Sequence, residues 1–187
     1  MKQIAVLFVM VGVLVGWGGC AAKPLQIEPI SKKVATVVPM FDAACYFFDR
    51  DGNLHFVMRS QTNDGTVEIF TARVFWRPIG GRTSLNPTSV NATWRYLLIA
   101  TDTVGMYEGS GFVRLSGRNG EDIKVSLVDG DLRLTEASAR FADVIGRARL
   151  RGNFVAQYDD AKAVEMMKEA QQEFFARSLL NKTPSGE

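Results

Sequence analysis

Ile123-Lys124-Val125-Ser126-Leu127-Val128-Asp129-Gly130-Asp131-Leu132-Arg133-Leu134 is the segment on which the fold turns. Ile123, Val125 and Leu127 alternate with Lys124 and Ser126, and Leu132 and Leu134 flank Arg133. Alternation at period two gives a strand one apolar and one polar face. Asp129-Gly130 reads as a tight hairpin turn, because Asp-Gly supplies the positive φ such turns require. The same signal recurs at Asp51-Gly52, Asp64-Gly65 and Asn119-Gly120.

Working outward, the runs beside these turns are β-prone. Leu54, Phe56 and Met58 alternate with His55, Val57 and Arg59; Glu68 to Trp76 is long and rich in strand formers. Trp94, Tyr96 and Leu98 alternate with Arg95 and Leu97; Ala148, Leu150, Gly152 and Phe154 alternate with Arg147, Arg149, Arg151 and Asn153. Hairpin spacing of this kind predicts a mainly β fold, an antiparallel meander forming a sandwich, a jelly roll or a small barrel. Arg77 to Asn91, with Pro78, Gly80-Gly81 and Asn86-Pro87, is the one long loop of the body.

From Asp159 to Leu180 the period changes. Ala163, Val164, Met167, Ala170 and Phe174 recur at three-and-four spacing with charges between them. That pattern predicts one C-terminal amphipathic helix over about 159–180, with Asp159 and Asp160 suited to its N-terminus. Its apolar stripe needs a sheet face or a barrel mouth to cover.

The N-terminus carries an address. Met1-Lys2-Gln3 is followed by an apolar run, Ile4 to Val15, and then by Gly16-Trp17-Gly18-Gly19-Cys20. A helix of about twelve residues rises only about 18 Å, too short to span a hydrocarbon core of about 30 Å. The layout is that of a secretory signal. Small residues followed by a cysteine resemble the signal of bacterial lipoproteins, with Trp17 where leucine is usual. The resemblance implies cleavage before Cys20, acylation of Cys20 and attachment to a membrane of the cell envelope. Ala21, rather than Asp, after the cysteine resembles lipoproteins sorted to the outer membrane, facing the periplasm. The alternative is cleavage after Ala22 and a soluble secreted or periplasmic protein. The expected organisation is a signal over 1–19, the lipidated cysteine and a tether over 20–39, one β-rich domain over 40–181, and a frayed tail over 182–187.

Composition narrows the function classes. The chain has 187 residues and a net charge of +2, or +1 without the segment bearing Lys2. Such balance gives no reason to expect nucleic acid as a partner. Of two cysteines, Cys45 lies in the apolar run Ala43 to Phe48, so an inert buried thiol is expected and no disulfide framework. His55 is the only histidine, and no Gly-x-Ser-x-Gly elbow accompanies it. Asp49-Arg50-Asp51-Gly52-Asn53 resembles the start of a calcium loop, but the sixth and twelfth places hold Leu54 and Ser60, so a turn is expected. Gly109-Ser110-Gly111 precedes a strand pattern rather than a helix, which suits close packing better than a phosphate cradle. No cofactor, metal or catalytic residue is assigned.

Two candidate surfaces remain. Arg147, Arg149 and Arg151 share one face of one strand; they form either an anionic-partner face, with Arg114 and Arg118 adding to it if their strands pair, or a solvated face that deters edge pairing. Phe75, Trp76, Trp94 and Tyr96 flank the long loop and either line a pocket for sugar or lipid or pack in the core. Leu132 to Phe141 followed by Leu150-Arg151-Gly152-Asn153-Phe154-Val155 also resembles the repeats of the periplasmic β-jelly-roll proteins of lipopolysaccharide transport. The expected function is a membrane-anchored, non-catalytic binding or scaffolding domain, for an envelope protein or an anionic envelope polymer. The alternatives are a lipid or glycolipid carrier of jelly-roll type and an envelope-polymer hydrolase.

Overall fold

The alternating runs become strands. In a computed structural model, which describes residues 24–31, 33–77 and 90–180, the order is β1 (Gln26–Pro29), β2 (Ala43–Phe48), β3 (Leu54–Gln61), β4 (Val67–Val74), β5 (Ala92–Ile99), β6 (Val104–Ser116), β7 (Ile123–Ala137), β8 (Ala148–Tyr158) and α1 (Asp160–Leu180). β2 to β8 form an antiparallel meander in chain order. β8 then pairs parallel to β2, Cys45 with Gln157 and Tyr46 with Tyr158, which closes a seven-stranded barrel. Of the three architectures the pattern allows, the barrel is the one adopted.

Three of the four expected turns are hairpins, and their glycines, Gly52, Gly65 and Gly120, take positive φ. Asp129-Gly130 is not a turn. β7 runs straight through it, and its register with β6 slips at Val128, so that Phe112 faces Asp129 while Val113 faces Leu127. A β-bulge absorbs the extra residue.

The segment read as a tether over 20–39 contains β1. Gln26 to Pro29 pair with Arg151 to Ala148 of β8, and Leu25 and Ile27 are buried in the core. A bridge from Ile27 to Val37 extends the wall on the other side of β1. β8 and β2 meet at only two residue pairs, so β1 fills the wedge they leave. The physical reason is edge satisfaction: the first half of β8 would otherwise expose its backbone donors and acceptors. The expected signal over 1–19, Cys20 and the tail over 182–187 lie outside the described residues.

Aromatic side chains fill the lumen. Tyr46, Phe56, Phe70, Trp94, Tyr96 and Tyr107 belong to one buried cluster. A small barrel has an interior just wide enough for side chains. Tyr46 also fastens one barrel end: its hydroxyl donates to the Glu121 carbonyl at 2.7 Å and accepts from the Gly120 N–H at 3.0 Å. At the other end the Tyr107 hydroxyl donates to Asp143 at 2.7 Å, and Phe141 packs edge-on to its ring. Removing the Tyr46 hydroxyl removes two hydrogen bonds to the exposed turn residues Gly120 and Glu121, each worth about 0.5–1.5 kcal/mol. Tyr46→Phe should therefore lower unfolding free energy by roughly 1–3 kcal/mol, read from the urea midpoint; an unchanged midpoint would show that the turn holds itself.

α1 lies on the outer wall. Ala163, Met166 and Ala170 pack with Cys45, Val57, Ile69, Leu97 and Met106 in a second core outside the barrel. Asp159 caps the helix, its Oδ1 accepting the Lys162 N–H at 2.9 Å. Arg59 of β3 ties its middle through Glu169 at 3.0 Å, and Arg177 ties its end to the carbonyls of Ala100 and Thr101. The inward stripe differs from the expected one at one point: Met166 is buried and Val164 is exposed.

Candidate outer-wall cleft

Period two sends every second residue of β3 to β6 outward, and α1 covers only part of that wall. A cleft of about 430 Å³ remains beside the helix, lined by His55, Thr71, Arg73, Thr93, Arg95, Glu108 and Met167. It continues into a second hollow of about 410 Å³ between helix and wall, where Glu136 and Gln171 line it beside Leu97, Met106, Ala170, Phe174 and Phe175. Thr71, Arg95, Glu108 and Met167 belong to both sections. Both sections mix polar and apolar groups, and the second adds the larger apolar side chains.

The first section is held by ion pairs. Arg95 meets Glu108 across the β5–β6 ladder at 2.8 Å. Asp49 lies 2.9 Å from His55 Nε2 and 3.7 Å from the Arg73 guanidinium. The His55 ring also stacks on Phe47, centroids 4.9 Å apart and 20° from parallel. His55 is thus a fastened wall residue, half-buried rather than fully solvated. Each arginine has a carboxylate partner, so the section offers paired polar groups rather than a net positive field.

Asp49 also builds the β2–β3 turn. Its Oδ1 accepts the N–H groups of Asp51 at 3.0 Å and Asn53 at 2.8 Å, and the Asn53 side-chain amide donates to both of its oxygens. These donors, with His55 foremost, hold its carboxyl far below the usual aspartate range. A depressed folded-state value stabilises above the unfolded pKa of about 3.9 and is lost as pH falls toward the folded one. Asp49→Asn should therefore melt below wild type at neutral pH and converge with it in strong acid. A gap in Tm as wide at pH 2 as at pH 7 would contradict this reading. The loop that resembled the start of a calcium site is a turn whose first carboxylate is occupied by internal donors. Among the described residues no group of three His, Cys, Asp or Glu is placed to hold a metal ion.

The expected site residues are spread over the barrel. Trp94 and Tyr96 point into the lumen, while Phe75 and Trp76 are exposed at the loop base, so the four aromatics do not meet in one pocket. The Trp76 indole N–H donates to the Val90 carbonyl at 3.2 Å, and its ring lies 6.0 Å from Phe112. Most of the long loop, residues 78–89, falls outside the described residues. Arg147, Arg149 and Arg151 line the outside of the barrel beside β1. Arg151 is paired with Glu28 of β1, and Arg149 has Glu28 and Asp131 as strand neighbours. Arg114 stands two strands away, with Ser126 and Asn153 between. Cys45 is buried beneath α1, and burial pushes its thiol up, away from the reactive thiolate.

Other residues were not singled out by the sequence. Asn91 is wholly buried; its side-chain amide donates to the Val113 carbonyl at 2.9 Å and its Oδ1 accepts the Val113 N–H at 2.7 Å. It extends the sheet by side chain across the loop base. The cleft residues Thr71, Arg73, Thr93 and Glu108 share only an outward parity. Among the described residues no helix is long and apolar enough to cross a membrane. No protein-family model, curated protein or solved structure matches this chain.

Proposed function

We propose that this chain is a lipoprotein of the bacterial cell envelope, anchored through acylated Cys20, whose barrel binds or scaffolds another envelope component on its outer wall. The observation that carries the reading is the filled lumen. Tyr46, Phe56, Phe70, Trp94, Tyr96 and Tyr107 occupy the space a barrel could offer a ligand, so recognition falls to the exterior. The cleft beside α1 is the concave part of that exterior with the most varied chemistry. The role is non-catalytic, and the location is the outer membrane facing the periplasm.

Two measurements test it. Cys20→Ser should move the protein from the membrane fraction to the soluble fraction or stall its processing; unchanged partitioning removes the anchor. A photo-crosslinking residue at Arg73 or Gln171 in intact cells should give one discrete adduct, weakened by Arg95→Glu. Adduct formation indifferent to the cleft residue rejects the outer-wall site.

A second reading has one observation in its favour. Leu97, Met106, Met167 and Phe174 line the second hollow and offer apolar surface that an acyl chain could cover. As a lipid or glycolipid carrier, the delipidated protein should bind a hydrophobic dye, and Met167→Glu should abolish that binding.

A further inference from the structure

We infer that the backbone around Val37 is an open sheet edge on which a second copy of this chain pairs, antiparallel and about a twofold axis at Val37. Neither the anchor at Cys20 nor the cleft beside α1 is needed for this. Ile27 and Val37 exchange two hydrogen bonds: the Ile27 N–H donates to the Val37 carbonyl at 2.8 Å, and the Val37 N–H donates to the Ile27 carbonyl at 2.9 Å. No described peptide bond is cis, and in a trans peptide N–H and C=O point opposite ways. Both polar groups of Val37 face β1, so the Thr36 carbonyl and the Val38 N–H face away from it. Neither has a hydrogen-bond partner among the described residues, and both residues are exposed. An unpaired carbonyl and amide side by side on a sheet edge are a template for another strand.

The side chains agree with the backbone. Thr36, Val38 and Met40 are exposed, while Val37 and Phe41 pack against the barrel core and Pro39 is buried. That is the period of a strand, in a stretch where Val34, Thr36, Val37 and Val38 are β-branched. Pro39 shares the parity of Val37, so its missing N–H falls on the β1 side and leaves the open edge intact. Antiparallel pairing about Val37 sets Thr36 opposite Val38 of the other copy, twice. Each Val38 N–H then meets the Thr36 carbonyl of the other copy, so the edge is complementary to itself. Charge selects the same arrangement. Val34 to Phe41 is uncharged, with Lys33 before it and Asp42 after it. An antiparallel copy brings each lysine end beside an aspartate end, whereas a parallel copy would set lysine beside lysine. The contact is small, so the dimer depends on concentration.

Thr36→Cys and Val38→Cys are made separately in the full chain, purified, and oxidised with diamide alone and as an equal mixture. Disulfides are mapped by peptide mass, which keeps Cys20 and Cys45 out of the count. Opposed positions 36 and 38 would lie about 5.5 Å apart at Cα, within disulfide reach. Positions 36 and 36 would lie on a diagonal of about 7–8 Å, beyond it. The 36–38 product should exceed 36–36 and 38–38 several-fold. In sedimentation equilibrium, Val38→Pro removes only an N–H that the monomer leaves unbonded, and it should weaken the dimer at least ten-fold. Disulfides without register preference, a dimer indifferent to Val38→Pro, or a monomer at every concentration overturns the pairing. In cell extracts, a disulfide from the Thr36→Cys chain to a different protein, with no 36–38 product, assigns the edge to that protein and overturns the second copy as its occupant.

Discussion

Trp94→Ala is expected to cost about 3–5 kcal/mol of unfolding free energy, the range for deleting a buried large aromatic. Trp94 is 2% exposed, and its indole N–H donates to the Asp131 carbonyl at 2.8 Å. The ring reaches from β5 across β6 to β7, where three glycines leave it room. A Cβ at Gly111 would lie 2.6 Å from the ring, one at Gly130 2.1 Å, and one at Gly109 2.7 Å from the indole nitrogen. Gly130→Ala should accordingly cost about 1–3 kcal/mol by overpacking. In a Trp94→Leu background that cost should shrink, because the clash partner is gone. Chemical denaturation of the four chains closes the cycle. A neutral Gly130→Ala, or full additivity, would refute the slot.

The second large effect concerns α1. Ending the chain before Asp159 uncovers Val57, Ile69, Leu97 and Met106 together. At about 1.5–3 kcal/mol for each buried apolar side chain, the loss is on the order of 5 kcal/mol or more, enough to unfold a marginal domain. A point version separates packing from chain length. Ala163 is wholly buried against the wall and Val164 faces out, so Ala163→Glu should lower Tm steeply and Val164→Glu hardly at all. Equal effects would mean that the helix is not docked on this face.

The β character and the helix were legible because both rest on local periodicity. Leu54, Phe56 and Met58 point inward and His55 and Arg59 outward, as their alternation requires. Closure was not legible. It depends on β8 returning between β7 and β2, a contact more than a hundred residues apart that leaves no local mark. Asp129-Gly130 misled because its glycine answers to a neighbour and not to a turn: Trp94 needs the space, and β6 keeps pairing on both sides of it. β1 was hidden between Pro24 and Pro29, which read as linker, although the Leu25-x-Ile27 spacing is that of a short strand.

The candidate site was less legible than the fold. Outward residues of a strand look alike in sequence, whether they face water or line a cleft. Arg73, Arg95 and Glu108 acquire a shared address only once α1 crosses the wall beside them. The arginine row of β8 had the opposite fate, because Glu28 arrives beside it on a strand read as linker. Phe75, Trp76, Trp94 and Tyr96 are near one another in the chain, yet the barrel wall separates the inward pair from the outward one.

The anchor remains the central claim, and the mature N-terminus tests it most directly. Intact-mass and N-terminal peptide analysis of the protein purified from membranes should find a chain beginning at Cys20 and heavier by its acyl groups. An unmodified chain beginning at Lys23 would contradict the account.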